Sequence, residues 1–383
     1  MSYDVIVIGA GTMGCAASHS LAKRRLNVLA LEQFSVPHDL GSHSGYTRII
    51  RQAYYEHPGY VPLLQRSYQL WKNLEQDHHT RLYHETGILY MGQPSSPILN
   101  GTQHASDIYK IPLSSPEISR MQTEHPQFKI PSDWKLLWEP YAGYLNVNPS
   151  IAAFYHQAVN TGARILSHEK MVSWKMMGDH IKIQTLQETY LAEKIIFTSG
   201  SWTGELLGPS SLPLKVTRQV LAWIEVPDAL LYSHPQFPCW FLHDPARGMF
   251  YGFPLSKTGD PDEPKGIKLG LHMPGVITHP DQIDRDIHET DQKTIRYFIE
   301  TYMPQLRDQP IQYKTCMYTY TPDEHFILDY LPGTGKKVMV AGGFSGHGFK
   351  FAPVIGEILA DLCLEKSTGF DLEFLNLERF GLK

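Results

Sequence analysis

Four groups of residues have types and spacings that can do chemistry. Gly9-x-Gly11-x-x-Gly14 is followed by Glu32, eighteen residues beyond the last glycine. The first glycine permits a tight turn, the second lets the backbone approach a pyrophosphate, and the third brings a helix against a strand. The anion would rest on the helix N-terminus. Glu32 suits a ribose hydroxyl and repels a 2′-phosphate, which disfavours NADP. Ordinary glycine turns share this pattern, and it does not separate FAD from NAD. The run Gly266–His272 alternates with period two. As a strand it sends Ile267, Leu269 and Leu271 to one face and Lys268, Gly270 and His272 to the other. The bare strip between the two polar groups suits a flat ligand, and a solvated strand face gives the same pattern. Arg48 and Arg51 share a face only if their segment is helical. Together they suit a carboxylate or a flavin's polar edge, whereas exposed arginines need no ligand. Cys316 lies in a β-rich run, Lys314-Thr315-Cys316-Met317-Tyr318. A buried inert thiol is the default there, and basic neighbours would make it a reactive thiolate.

Recognisable elements position these residues. Tyr3–Ile8 is a short β-rich run, the glycine turn follows, and a small-residue helix runs to about Lys23. A second strand, Asn27–Leu31, ends on Glu32, completing a βαβ unit. A helical stretch carries Leu63, Leu64, Tyr68, Leu70, Trp71 and Leu74. Residues 93–140 hold scattered prolines and predict loops and short helices. Residues 151–163 read as helix and Lys194–Thr198 as strand, and β-like signals dominate from about 214 to 320. Near the C-terminus a strand, Val338–Ala341, enters Gly342-Gly343-Phe344-Ser345-Gly346-His347-Gly348. The amphipathic helix after it has Val354, Ile355, Ile358, Leu359 and Leu362 on one face and Glu357 and Asp361 opposite. Strand, glycine turn and helix thus occur at both ends, with a β-rich segment between. The simplest arrangement is one nucleotide-binding domain built from both termini, with a second domain inserted.

Composition removes other classes. The chain has 383 residues, 34 Lys+Arg against 39 Asp+Glu, and a net charge of -5. No basic stripe offers itself to phosphates, so nucleic acid is not an expected partner. The 4 cysteines do not make a disulfide scaffold in a chain this long. The uncharged segment Val5–Ala22 follows an acidic N-terminus and is broken by glycines and serines, unlike a signal peptide or a membrane span. A cytoplasmic location is expected. His78, His79 and His84 lack metal-like spacing and read as surface histidines. There is no Gly-x-Ser-x-Gly elbow and no phosphate loop of the GKS or GKT type.

In combination the motifs resemble the monomeric sarcosine oxidase and N-methyltryptophan oxidase family of FAD-dependent amine oxidases. They are IVIGAGTMG, GSHSGYTRIIRQAY, YVPLLQRS, FYGFP, GIKLGLH, TCMYTYTPDEHFILD and GFSGHGFKFAPVIGE, in family order, from residue 3 to about 380. Residues 93–140 are the weakest part of the match. The resemblance implies an α/β, two-domain FAD-dependent oxidoreductase with a Rossmann-like FAD-binding domain and a β-rich substrate domain. The expected ranges are 1–84, 147–213 and 321–383 for the first, and 85–146 and 214–320 for the second. The cofactor is then FAD, covalently held through Cys316. Gly9, Gly11, Gly14, Glu32, Gly343, Gly346 and Gly348 complete the cofactor site. Lys268 aligns with the lysine that activates oxygen, and Arg48 with the arginine beside the flavin ring. Tyr251 and His272 line the substrate cavity, while Arg51 and Lys350 hold the substrate carboxylate. The expected partners are a small N-methyl amino acid and O2, and the family suggests a monomer.

One stretch departs from the family. Where it usually reads Gly-Ser-His-His-Gly-Asp-Thr-Arg, this chain has Ser44 for the second histidine and Tyr46 for the aspartate. The expected reaction is oxidation of a secondary amine to an imine, hydrolysed to aldehyde plus demethylated amino acid, with O2 reduced to H2O2. Sarcosine is the first substrate expected, with N-methyl-L-tryptophan or a cyclic imino acid such as pipecolate or proline as alternatives. An FAD-dependent dehydrogenase with a non-oxygen acceptor, and an NAD-dependent dehydrogenase, are readings of a different class.

Overall fold

A computed structural model describes residues 2–208, 212–307 and 309–382. Met1, residues 209–211, Asp308 and Lys383, which the expected domain ranges include, lie outside the described residues.

The first sheet has eight strands. Its parallel centre runs Val338–Gly342, Thr189–Phe197, Ser2–Ile8, Val28–Leu31, Arg164–Leu166. Parallel strands covered on both faces need apolar residues on both. Val5 and Val7 accordingly face one core, and Ile6 and Ile8 the other. Burial of each such side chain is worth about 1.5–3 kcal/mol. Two helices cover the Val5–Val7 side, Thr12–Lys23 from the N-terminal end and Ala352–Cys363 from the C-terminal end. They cross closely because Gly356 has no side chain: a Cβ there would lie 2.5 Å from the Ala16 carbonyl oxygen. Arg24 pairs with Asp361 at 2.7 Å and reinforces the packing, while Arg66, on the helix Tyr60–His78, pairs with Glu357 at 2.7 Å. Both acids come from the polar face expected of the last helix.

The second sheet has seven strands, in the order Pro310–Tyr320, Lys215–Ile224, Ile267–His272, Gly248–Gly252, Cys239–Asp244, Ile88–Gly92, Lys135–Glu139. A small antiparallel sheet of Thr47–Ile50, Gly143–Asn146 and Tyr83–Glu85 is the third. The helix Tyr60–His78 buries Tyr60, Leu63, Leu64, Tyr68, Trp71 and Leu74 at helical spacing. Its Ser67 hydroxyl and Trp71 indole N–H both donate to the Lys350 carbonyl, at 2.5 and 2.9 Å. That fixes the backbone under one of the expected carboxylate binders.

Several expectations need correction. Thr47–Ile50 is a strand, so the helical condition for Arg48 and Arg51 to share a face is not met. The stretch 93–140 contains a 13-residue helix, Pro97–Tyr109, and a sheet strand, Lys135–Glu139. The β-like stretch contains a helix, Glu289–Tyr302, whose signal was Ile295, Phe298, Ile299 and Tyr302 behind a His288–Asp291 capping box. The strands Met171–Met177 and His180–Thr185 extend the first sheet and were not anticipated. His84 is half-buried rather than fully at the surface: it stacks on Tyr144, and burial pushes its imidazole pKa down to about 4.

Candidate active site and cofactor cleft

Two adjoining cavities hold nearly all the residues singled out from the sequence. The larger is a cleft with about 1270 Å³ of unfilled space, its open mouth included. Gly9 turns the chain with φ +90, and a Cβ there would press on the Ser199 backbone at 2.8 Å. Gly14 abuts Gly9 so closely that a Cβ would come within 1.8 Å of the Gly9 oxygen. Between them Gly11 begins the helix Thr12–Lys23 without a side-chain cap. First-turn N–H groups without partners attract an anion. The Thr12 hydroxyl is buried at the same place and has no protein partner among the described residues. Glu32 is 4 % exposed on the cleft wall and accepts N–H from Ala10 at 2.8 Å and Phe34 at 3.0 Å. Burial raises its pKa, against the pull of those hydrogen bonds.

The C-terminal glycines close the opposite wall. Gly343 and Gly346 have φ of +61 and +80, and the Tyr318 ring occupies the space a Gly346 side chain would need. Gly348 leads into the turn Phe349–Phe351 and the helix Ala352–Cys363. The bare backbone, the unpartnered Thr12 hydroxyl and the buried Glu32 fit a dinucleotide with ribose and pyrophosphate.

Arg48, Tyr318, Gly346 and Phe349 border both cavities. The Arg48 guanidinium donates to the carbonyls of Gly45, Thr47, Ser42 and Ser44 at 2.6–3.0 Å, which sets its plane at the junction. The smaller cavity, of about 490 Å³, brings together Arg51, Lys350, Tyr251 and His272. Arg51 is 1 % exposed, with both Glu56 oxygens 2.7 Å from Nη2 and the Ala53 carbonyl 3.0 Å from Nη1. Its Nε is buried with no partner among the described residues. Burial opposes the guanidinium charge, and Glu56 together with Tyr90, Tyr54 and Tyr55 outweighs it, so the pKa rises. The rings of Tyr54 and Tyr55 lie 4.1 and 4.6 Å from the guanidinium carbon.

Lys350 donates to the His347 carbonyl at 2.8 Å and approaches the Tyr54 hydroxyl at 3.4 Å. Burial, then the charge of Arg51, pushes its pKa down to about 7. Burial and then His347 push His272 down to about 3, so that ring is neutral. His347 Nε2 donates to the Glu324 carbonyl at 3.1 Å, which leaves Nδ1 to accept the Tyr54 O–H at 2.7 Å. The remaining walls are largely apolar, with Phe241, Met249 and Phe253.

Lys268 and Cys316 border neither cavity. Lys268 Nζ bonds the carbonyls of Gly45 and Thr47 at 2.8 and 2.7 Å and the Thr47 hydroxyl at 3.2 Å. Burial, then Arg48, holds its pKa well below the usual ammonium range. Cys316 is packed with Leu221, Trp223 and Tyr318; burial raises its pKa, and the charges of Arg48 and Lys268 oppose this. The bare strip expected over Gly270 is covered: Tyr251 on the paired strand puts its hydroxyl 2.9 Å from where a Gly270 Cβ would be. Ser44 is buried with its hydroxyl unpartnered, while Tyr46 turns away and donates to the Asp262 carbonyl at 2.9 Å. Glu56, Tyr54, Tyr55 and Phe241 went unread in the sequence. The only signal for Glu56 was an acid five residues after Arg51.

The comparisons agree with this geometry. A family model described as FAD dependent oxidoreductase matches residues 4–362. Monomeric sarcosine oxidase from Bacillus sp. (strain B-0618) is 36% identical over 386 residues, covering 100% of this chain and 97% of that protein. N-methyl-L-tryptophan oxidase from Yersinia pestis (strain Pestoides F) is 31% identical over 382 residues, 99% of this chain and 100% of the relative. Among solved structures, NikD, an unusual amino acid oxidase essential for nikkomycin biosynthesis, superposes with a TM-score of 0.85 at 26% identity, covering 98% and 97% of the two chains. With such matches along its whole length and a cleft shaped for the cofactor, the chain belongs to the FAD-dependent oxidoreductase family.

Proposed function

We propose that the protein is a flavoprotein oxidase of N-methyl amino acids, with sarcosine the first substrate. The observation that carries this reading is the unpartnered Nε of a fully buried arginine, Arg51, in the same small cavity as Lys350. A carboxylate arriving there gains a charge-assisted hydrogen bond from Nε and a second cation from Lys350. It also completes a set of two cations and two anions with Glu56. The two buried cations and the apolar walls disfavour an ammonium, so the substrate nitrogen is held unprotonated, the form that can release a hydride from its methyl carbon. His272 and His347, both neutral, add no charge that would repel the amine. Bound FAD supplies the acceptor for that hydride and the two electrons that convert O2 to H2O2. The imine formed takes up water to give an aldehyde and the demethylated amino acid.

Gly9, Gly11, Gly14 and Glu32 would hold the pyrophosphate and ribose, and Gly343, Gly346, Gly348 and Arg48 the ring portion of the cofactor. Cys316 would supply the covalent link, supported by the Arg48 charge, which opposes the upward push of burial on its thiol. Lys268 would serve oxygen. The strands of the two large sheets support a discontinuous FAD-binding domain (1–84, 147–213, 321–383) and a substrate domain (85–146, 214–320), while the small third sheet joins strands from both sets of ranges. The protein would act as a monomer.

A second reading is a dehydrogenase with a non-oxygen acceptor, favoured by the three oxygen partners that already engage Lys268 Nζ. A peroxide-coupled screen of the purified yellow protein under air, with sarcosine, N-methyl-L-tryptophan, pipecolate and proline, tests the first. Peroxide with sarcosine supports it. Reduction of a dye without peroxide favours the second reading.

A further inference from the structure

Glu139 is a buried carboxylate that the reaction as drawn does not use. It ends the strand Lys135–Glu139, is 1 % exposed, and makes no salt bridge among the described residues. Burying such a charge costs several kcal/mol unless hydrogen bonds answer it. They do: Oε1 accepts the Gln52 N–H at 2.6 Å and the Ala53 N–H at 3.3 Å, and Oε2 accepts the Tyr90 O–H at 2.8 Å. Gln52 and Ala53 directly follow Arg51, beyond the end of the strand Thr47–Ile50 and outside any sheet. The Ala53 carbonyl in turn accepts Arg51 Nη1 at 3.0 Å. With Glu56 on Nη2, the guanidinium is fixed at both ends, and Nε is left without a partner among the described residues. Were the Gln52–Ala53 backbone free to move, the Ala53 carbonyl and the plane of Arg51 would move with it.

We infer that Glu139 is a positioning residue of the carboxylate-binding end of the cavity: it fixes Gln52 and Ala53, and through the Ala53 carbonyl it aims Arg51. This rests on the reading of Arg51 as a carboxylate binder. It also gives the segment 93–140, where the sequence said least, a part in substrate recognition.

The test compares holoenzyme variants on sarcosine and on N-methylethylamine, which lacks the carboxylate. Glu139→Ala should raise KM for sarcosine by about tenfold or more, because small misplacements of a binding group are costly. Its kcat, and KM for N-methylethylamine, should stay within about threefold of the parent. Glu139→Gln keeps an oxygen for the Gln52 N–H and should restore most of the sarcosine KM. If Glu139→Ala does not fold, Glu139→Asp, which keeps the charge but shortens the reach, should show the same split. Equal losses on both amines, or a parental KM for sarcosine in the Ala or Asp variant, overturn the inference. A parent that turns over none of sarcosine, N-methyl-L-tryptophan, pipecolate and proline, or Arg51→Met with parental KM, overturns the carboxylate reading and this inference with it. Where only another of the four is turned over, that amino acid replaces sarcosine in the test. A raised KM in Arg51→Met beside an unchanged one in Glu139→Ala overturns the inference alone.

Discussion

The cleft and the cavity beside it are built by opposite means. The cleft depends on two short glycine segments: Gly9 and Gly11 line it with Gly14 packed behind Gly9, and Gly343, Gly346 and Gly348 line it on the other side, each group within a few residues of chain. The cavity wall is side chain, contributed by residues 48–56, 241–253, 272, 318 and 346–350. A backbone wall tolerates almost no added atoms. A side-chain wall adjusts, so changes there alter affinity before they alter the fold.

Gly14→Val should therefore have the largest effect. Its first added carbon already meets backbone at 1.8 Å, and a loss of more than about 4 kcal/mol of stability is expected, together with loss of bound flavin. Flavin absorbance and thermal melting of the purified protein check it; a yellow variant with parental Tm would break the contrast. Next comes Arg51→Met, expected to weaken carboxylate binding by about 2–5 kcal/mol while leaving flavin content intact. Anaerobic titration with sarcosine measures that, and an unchanged dissociation constant would remove Arg51 from the carboxylate site. Smaller again is a pH effect. Lys350 titrates at about 7 in the free protein, so it is charged below that value and loses its proton above it. Affinity for propionate should be flat below pH 7 and fall above it, at most about tenfold per pH unit. A profile that stays flat through pH 9 would show that Lys350 does not meet the carboxylate. The smallest effect is expected at Ser44, whose hydroxyl is buried without a partner near the cleft. Ser44→His should speed flavin attachment to apoprotein by a few fold, about 1 kcal/mol in barrier; indistinguishable rates would leave that departure without consequence.

The same contrast explains what was legible in the sequence. A glycine has one reason to stand between a strand and a helix, and the spacing of Gly9, Gly11, Gly14 and Glu32 is local, so the cleft could be read from a single window. Nothing local links Glu139 to Gln52, 87 positions away, or Tyr54 to His347, 293 positions away. The rule for Arg48 and Arg51 made a shared face conditional on a helix, yet both line one cavity without one. Arg51 reaches the cavity from just beyond a strand end, where strand alternation no longer dictates its direction. The strip over Gly270 failed for a related reason: alternation within one strand is blind to Tyr251 arriving from the next. Family resemblance supplied the residues of the cavity, and only the packed structure supplied the partners that hold them.

The contact of Gly356 with Ala16 has a consequence for synthesis. The helix Thr12–Lys23 has its packing face covered by a helix synthesised long after it, and the strand Val338–Gly342 joins the sheet only after its partner Thr189–Phe197 has been made. Contacts of such sequence separation form late. A nascent chain released before residue 338 would carry the whole Gly9–Gly14 fingerprint yet lack the second half of the wall that encloses the cofactor. Flavin capture should therefore wait until the wall Gly343–Phe349 has been made, and chains truncated before it should be colourless and engaged by chaperones.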